Sequence, residues 1–121
     1  MKKYFLISLV CCLAFACQGP DKTAAATTES ADLSSNPDYQ KGLALIAKSD
    51  CLTCHNVDTK VTGPAYRDVA AKYTSADVSM LADKIVKGGQ GVWGPIPMTP
   101  HPGVSQADAE QMVKYILLLK K

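Results

Sequence analysis

Residues 51–55 read Cys-Leu-Thr-Cys-His, and no other stretch of the 121-residue chain limits its fold so sharply. Cysteines three apart put both thiols on one side of a helical turn, and a histidine directly after them brings an imidazole beside that face. The pattern is that of c-type haem attachment, with Cys51 and Cys54 forming thioethers to the two vinyl groups and His55 as proximal iron ligand. A large flat apolar body bonded to the chain here becomes the centre of whatever core the rest can build.

The same residues could instead form half of a zinc site or a redox dithiol. A zinc site needs a further ligand cluster, yet downstream of His55 the chain has no cysteine and only His101. A Cys-x-x-Cys dithiol needs neither the adjacent histidine nor a downstream methionine, and it follows a strand in a βαβ setting that has no counterpart here. Haem attachment is the favoured reading.

The chain opens Met1-Lys2-Lys3 and then runs almost continuously apolar over residues 4–16. That stretch is too short to span about 30 Å of hydrocarbon and has the layout of a cleaved signal peptide, residues 1–16. Ala14-Phe15-Ala16 gives a small-x-small cleavage pattern with Cys17 directly after it. Either an ordinary peptidase cuts there, or Cys17 is the acylated first residue of a bacterial lipoprotein. A free thiol at a mature N-terminus in an oxidising compartment is a reactive liability that acylation removes, which favours lipidation at Cys17. Cys11 and Cys12 would leave with the signal.

Residues 17–36 are rich in Ala, Thr and Ser without an apolar periodicity, and read as a flexible tether. Loss of the signal removes two lysines and no acids, so 11 of the 13 basic residues remain to balance 11 acidic ones. Without a basic cluster interleaved with aromatics, the chain shows no nucleic-acid footprint.

Residues 37–121 suffice for one domain of about 85 residues, whose apolar core would be limited without a haem to pack against. Four short helices are expected. The first covers residues 38–48, with Tyr39, Gly42, Leu43, Leu45 and Ile46 as its apolar stripe. A second covers residues 65–73 after the loop at Gly63-Pro64. A third covers 75–87, opened by Thr74 with Asp77 three positions on and stopped by Gly88-Gly89. The last begins after Ser105 and carries Ala109, Met112, Val113, Ile116 and Leu117 at helical spacing. Tyr115 could cover the helix crossing at Gly42 or lie on the surface. No strand longer than a few residues is indicated, so the class is all-α.

The sixth iron position decides between carrier and catalyst. Met80, Met98, Met112 and His101 are available downstream of His55. Met80 and Met112 fall in amphipathic helices, where core packing is the ordinary explanation. Met98 lies in Trp93-Gly94-Pro95-Ile96-Pro97-Met98-Thr99-Pro100, a proline-braced loop able to hold a thioether across a haem face. A soft neutral sulfur favours ferrous iron and leaves no open site for oxygen or peroxide. His101 as ligand, or on a solvent-facing turn, is the lesser alternative. Trp93 could pack on the haem edge or donate its indole N–H to a propionate.

Gly42, the 51–55 motif, Gly63-Pro64, Tyr66, Gly88-Gly89, Trp93-Gly94, Pro97-Met98 and Tyr115 together resemble a small bacterial class I cytochrome c with one His–Met-ligated haem. The resemblance implies that family's all-α fold, about four short helices around one covalently attached low-spin haem c. It implies Cys51 and Cys54 as attachment points, His55 and Met98 as iron ligands, and Trp93 as a propionate neighbour. Pro64 matches the proline whose loop supports the proximal histidine, with the carbonyl of Gly63 or a neighbour accepting the imidazole N–H. Gly42 and Tyr115 match the crossing of the terminal helices. Thr99 departs from the pattern, standing where proline often follows the ligand directly. Leu45 or Ile46 also departs, occupying a region where an aromatic residue is common.

The function this implies is one-electron transfer between periplasmic or membrane redox partners, without catalysis, a small organic substrate or a catalytic residue. A haem-bearing accessory module of an oxidase complex, or a peroxidase or gas-reactive cytochrome with displaceable Met98, is the alternative. The protein is expected to be exported, as a membrane-anchored lipoprotein facing the periplasm if Cys17 is acylated and as a soluble periplasmic protein if not. Its partners would be transient redox proteins or membrane respiratory complexes.

Overall fold

Asn36 sets the start of the first helix: its side-chain oxygen accepts from the backbone N–H groups of Asp38 and Tyr39 at 2.8 and 3.2 Å, and Pro37 follows with its φ already helical. The computed structural model describes residues 33–121. Four α-helices are present among them, α1 (Pro37–Lys48), α2 (Tyr66–Lys72), α3 (Val78–Lys87) and α4 (Gln106–Leu118). Two 3₁₀ turns, Asp50–Thr53 and Ser75–Asp77, and one isolated antiparallel bridge between Gly89 and Met98 accompany them. The all-α expectation holds.

Residues 1–32, which include the expected signal peptide, Cys17 and most of the expected tether, lie outside the described residues. Residues 33–35 are helical, and the Ser34 carbonyl accepts from the Gln40 side chain at 2.8 Å. Among the described residues, no helix is long and apolar enough to cross a membrane.

The core is built where the two ends of the domain cross. Gly42 and Ile46 of α1 are buried against α4, whose Met112, Tyr115 and Ile116 form with Ile46, Tyr66 and Leu119 one continuous cluster. A Cβ on Gly42 would come within 2.6 Å of the Gln111 carbonyl oxygen and collide with the Tyr115 side chain, so glycine is what allows this approach. Tyr39 packs on Tyr115 with ring centroids 5.0 Å apart, and the Gln111 amide donates to the backbone and carboxylate oxygens of Asp38 at 3.1 and 3.0 Å. Each large side chain buried here stabilises the fold by about 1.5–3 kcal/mol.

A smaller cluster joins α3 to α4 through Ala82, Ala109 and Val113, flanked by half-buried Val78, Leu81, Ile85 and Val86. The expected helix over 75–87 divides at Asp77. Thr74 and Asp77 form the anticipated capping box, but it closes a 3₁₀ turn, and the α-helix starts only at Val78. Ser105 caps α4 by accepting from Asp108 N–H at 3.1 Å. Leu43 departs from the expected stripe of α1 at 40% exposed, and Met80, expected to pack in the core, is 42% exposed; helical spacing allots a residue to a face, and the neighbours decide how far that face is covered.

Candidate functional site

After α1 the chain restarts as a 3₁₀ turn, because Ser49 is extended and its hydroxyl back-bonds to the Leu45 carbonyl at 3.0 Å. The turn carries Cys51, half-buried against the main core, and leads to Cys54 at the surface, whose N–H bonds back to the Cys51 carbonyl at 3.2 Å. Neither thiol is in a disulfide. Burial pushes the Cys51 thiol above its ordinary range, and the neighbouring Asp50 carboxylate adds to the shift.

His55 is fixed by the loop that follows. Its Nδ1 lies 2.8 Å from the Pro64 carbonyl oxygen. A carbonyl can only accept, so Nδ1 carries the proton and Nε2 retains the lone pair a metal needs. The acceptor is thus the carbonyl of Pro64 rather than that of Gly63, whose N–H instead donates to the Cys54 carbonyl at 2.7 Å. The bare α-carbon of Gly63 makes room for the ring: a Cβ there would lie 2.7 Å from Nδ1 and 2.9 Å from Nε2. On another side Tyr66 stacks on the imidazole, centroids 5.3 Å apart and planes 22° apart. Burial raises the Tyr66 phenol far above its usual value, so the stacked ring stays neutral.

Met98 is held at the neck of a loop. Its N–H donates to the Gly89 carbonyl at 2.7 Å and its carbonyl accepts from Gly89 N–H at 3.4 Å. Gly88 just before has φ +81°, and a Cβ there would meet the Met98 carbonyl oxygen at 2.7 Å, so this neck requires glycine. Inside the loop, Trp93 meets Tyr73 edge-on at 6.4 Å, Lys72 Nζ stands 5.8 Å over its ring, and Lys60 Nζ donates to its carbonyl at 3.4 Å.

Cys51, Cys54, His55, Pro64, Trp93 and Met98 all line one cavity of about 550 Å³, within the range of about 300–1,000 Å³ common for cofactor sites. Its apolar wall includes Ile46, Val69, Leu81, Ile85, Met112, Val113 and Ile116, and Lys60 and Lys84 stand on its boundary. Two thiols, an imidazole with a free Nε2, a thioether and a largely apolar wall are the donor set and shape a covalently attached haem requires, so the residues fit that group. Met80 also lines the cavity, which explains its exposure. A separate hollow of about 350 Å³, between Asp38, Tyr73 and Lys114, contains none of these residues.

His101 opens an exposed turn through Pro102 and Gly103, but its ring lines the same cavity. Its ring is 22% exposed, its Nε2 lies 3.2 Å from Asp50 Oδ1, and its Nδ1 is buried without a partner among the described residues. Nothing in the sequence pattern pairs Asp50 with His101. The roles of Lys60 and Lys72 around Trp93 were equally invisible, since surface lysines carry no spacing signal.

Comparison with known proteins agrees with this geometry. Residues 39–120 match the family model described as cytochrome c. Over 78 residues the chain is 51% identical to cytochrome c-552 of Nitrosomonas europaea, a match covering 63% of this chain and 76% of that protein. It is 46% identical to cytochrome c-551 of Pseudomonas aeruginosa over 78 residues, covering 63% and 74%. The crystal structure of wild-type Nitrosomonas europaea cytochrome c552 superposes with a TM-score of 0.60 at 50% identity, covering 64% of this chain and 99% of that one.

Proposed function

The chain belongs to the cytochrome c family, as a small class I electron carrier with one covalently attached low-spin haem c, and on that premise we propose that His55 and Met98 ligate the iron and close it to exogenous ligands. The observation that carries this reading is the commitment of His55 Nδ1 to the Pro64 carbonyl, which leaves Nε2 as a base in a cavity that Met98 also lines. Cys51 and Cys54 hold the haem by thioether bonds. Bound haem supplies a one-electron couple, poised toward the ferrous form by thioether ligation relative to two imidazoles.

The residues around the cavity serve that couple by staying still. The Pro64 carbonyl and the Tyr66 ring fix the imidazole plane, and the Gly89–Met98 bridge fixes the thioether segment, so little has to move when the charge changes. Trp93 borders the haem, and Lys60 and Lys84 place positive charge at a boundary suited to the haem carboxylates. Residues 37–121 form the haem domain, residues 1–16 direct export, and Cys17 carries lipid, with residues 17–36 as tether. Val61, Val92 and Ile96 add apolar side chains to the cavity lining, and Leu52, exposed beside the attachment turn, offers apolar surface of the kind used for brief contact with redox partners.

Optical spectra of the oxidised and reduced holoprotein, with a pyridine haem assay, test the ligation. The expected result is c-type haem, a low-spin ferrous form, a weak methionine–iron band at the red end of the oxidised spectrum, and no rapid reaction with carbon monoxide. A high-spin ferrous form that takes up carbon monoxide at once would overturn it. The mass of the mature N-terminus decides the lipid: a diacylglyceryl adduct on Cys17 is expected, and an unmodified cysteine there overturns the anchor.

A further inference from the structure

Asp50 opens the turn that carries Cys51, and His101 ends the segment that carries Met98. Their side chains meet at 3.2 Å, Nε2 to Oδ1. The carboxylate accepts, so Nε2 carries a proton, while Nδ1 is buried without a partner among the described residues. A ring that is oriented at the expense of a buried nitrogen is held by its place in the structure rather than by satisfying its own hydrogen bonds.

That place is fixed on both flanks. The backbone N–H of His101 donates to the Ile85 carbonyl of α3 at 3.0 Å, and its carbonyl accepts from Val104 N–H at 3.0 Å just before the α4 cap. Met98, three residues earlier, is anchored to Gly89, two residues past the end of α3. The segment is thus held by backbone bonds from Met98 to Gly89, just past the end of α3, and from His101 to Ile85 within α3, and the contact between His101 and Asp50 adds a side-chain link from the segment to the turn bearing Cys51. The wall of the cavity includes both Asp50 and His101.

We propose that His101 is a positioning residue for the distal ligand: through Asp50 it sets the distance between the Met98 segment and the attachment turn, and so resists displacement of the Met98 thioether. This rests on the reading of Met98 as ligand. Asp50 is 77% exposed, so its replacement leaves the core intact and tests the link without a folding defect.

The test compares oxidised holoprotein of the wild type, Asp50→Ala, His101→Ala, the double variant and His101→Gln, titrated with imidazole and followed at the methionine–iron band. A contact to a largely exposed carboxylate is a weak tie, so each alanine variant is expected to bind imidazole about two- to fivefold more tightly. The double variant should gain no more than the stronger single one, because both remove the same link. His101→Gln, whose amide can donate to the same carboxylate, should return toward wild-type affinity. Unchanged imidazole affinity in the alanine variants overturns the proposal, as does full additivity in the double variant or a loss of thermal stability with no change in affinity. A wild type without the methionine–iron band is a separate failure, that of the ligation itself.

Discussion

Gly63 and His55 are in direct contact, the α-carbon of one facing the ring edge of the other so closely that a methyl group would lie 2.7 Å from Nδ1. Replacing Gly63 with alanine should therefore swing the imidazole off the Pro64 carbonyl. Overpacking of this kind costs about 1–3 kcal/mol, read as a lowered guanidinium midpoint of the holoprotein, and should be accompanied by a changed low-spin spectrum. Substitution of Gly103, where a Cβ meets nothing within 4 Å, should leave the spectrum unaltered.

Gly42→Ala strikes the framework rather than the ligand. The new methyl would meet the Gln111 carbonyl, which is helix backbone and cannot step aside as a side-chain tip can. Separation of α1 from α4 should cost about 1–3 kcal/mol in urea unfolding while leaving the haem spectrum of the folded fraction as in the wild type.

Removal of the distal sulfur should open the iron without disturbing attachment. In Met98→Ala the methionine–iron band should vanish, the ferrous form should bind carbon monoxide, and the midpoint potential should fall, because a soft neutral ligand no longer favours the reduced state. The pyridine haem assay should still show one c-type haem per chain.

Stability should decline in alkali through Tyr115. Burial and the adjacent Tyr39 raise its phenol above the ordinary value of about 10, with Arg67 partly offsetting them. Below that ordinary value both the folded and unfolded chains keep the proton and the contribution is complete. Above it the unfolded chain loses the proton first, so unfolding free energy falls with pH until the folded phenol ionises too. The slope from this group is at most about 1.4 kcal/mol per pH unit. Unfolding curves between pH 8 and 11 should fall less steeply for Tyr115→Phe than for the wild type.

What the sequence displayed was chemistry confined to a few neighbouring residues. The Ser105 cap and the Thr74–Asp77 box were legible because each is complete within four positions, although the box opens a 3₁₀ turn ahead of α3. Gly42 pointed to a close crossing because glycine in an apolar stripe costs helix propensity, which a close approach would justify, although an incidental weak position fitted the sequence as well. The 3₁₀ character of residues 50–53 was not legible, since it depends on how Ser49 leaves α1. Exposure of Leu43 and Met80 depends on what the opposite surfaces contribute. The pairing of Asp50 with His101 joins segments that no periodicity relates, so it becomes visible only once the chain has closed.

The residues proposed to hold the haem all fall between 51 and 98, whereas the crossing that forms the core is made by helices outside that interval, Pro37–Lys48 and Gln106–Leu118. A peptide cut to the ligand-bearing interval would retain every bond to the cofactor and lose the scaffold that shields it. It would be a pigment on a string, open to water and to any small ligand. Insulation of the electron is thus a property of the sealed ends of the domain, remote in sequence from the atoms that carry the charge.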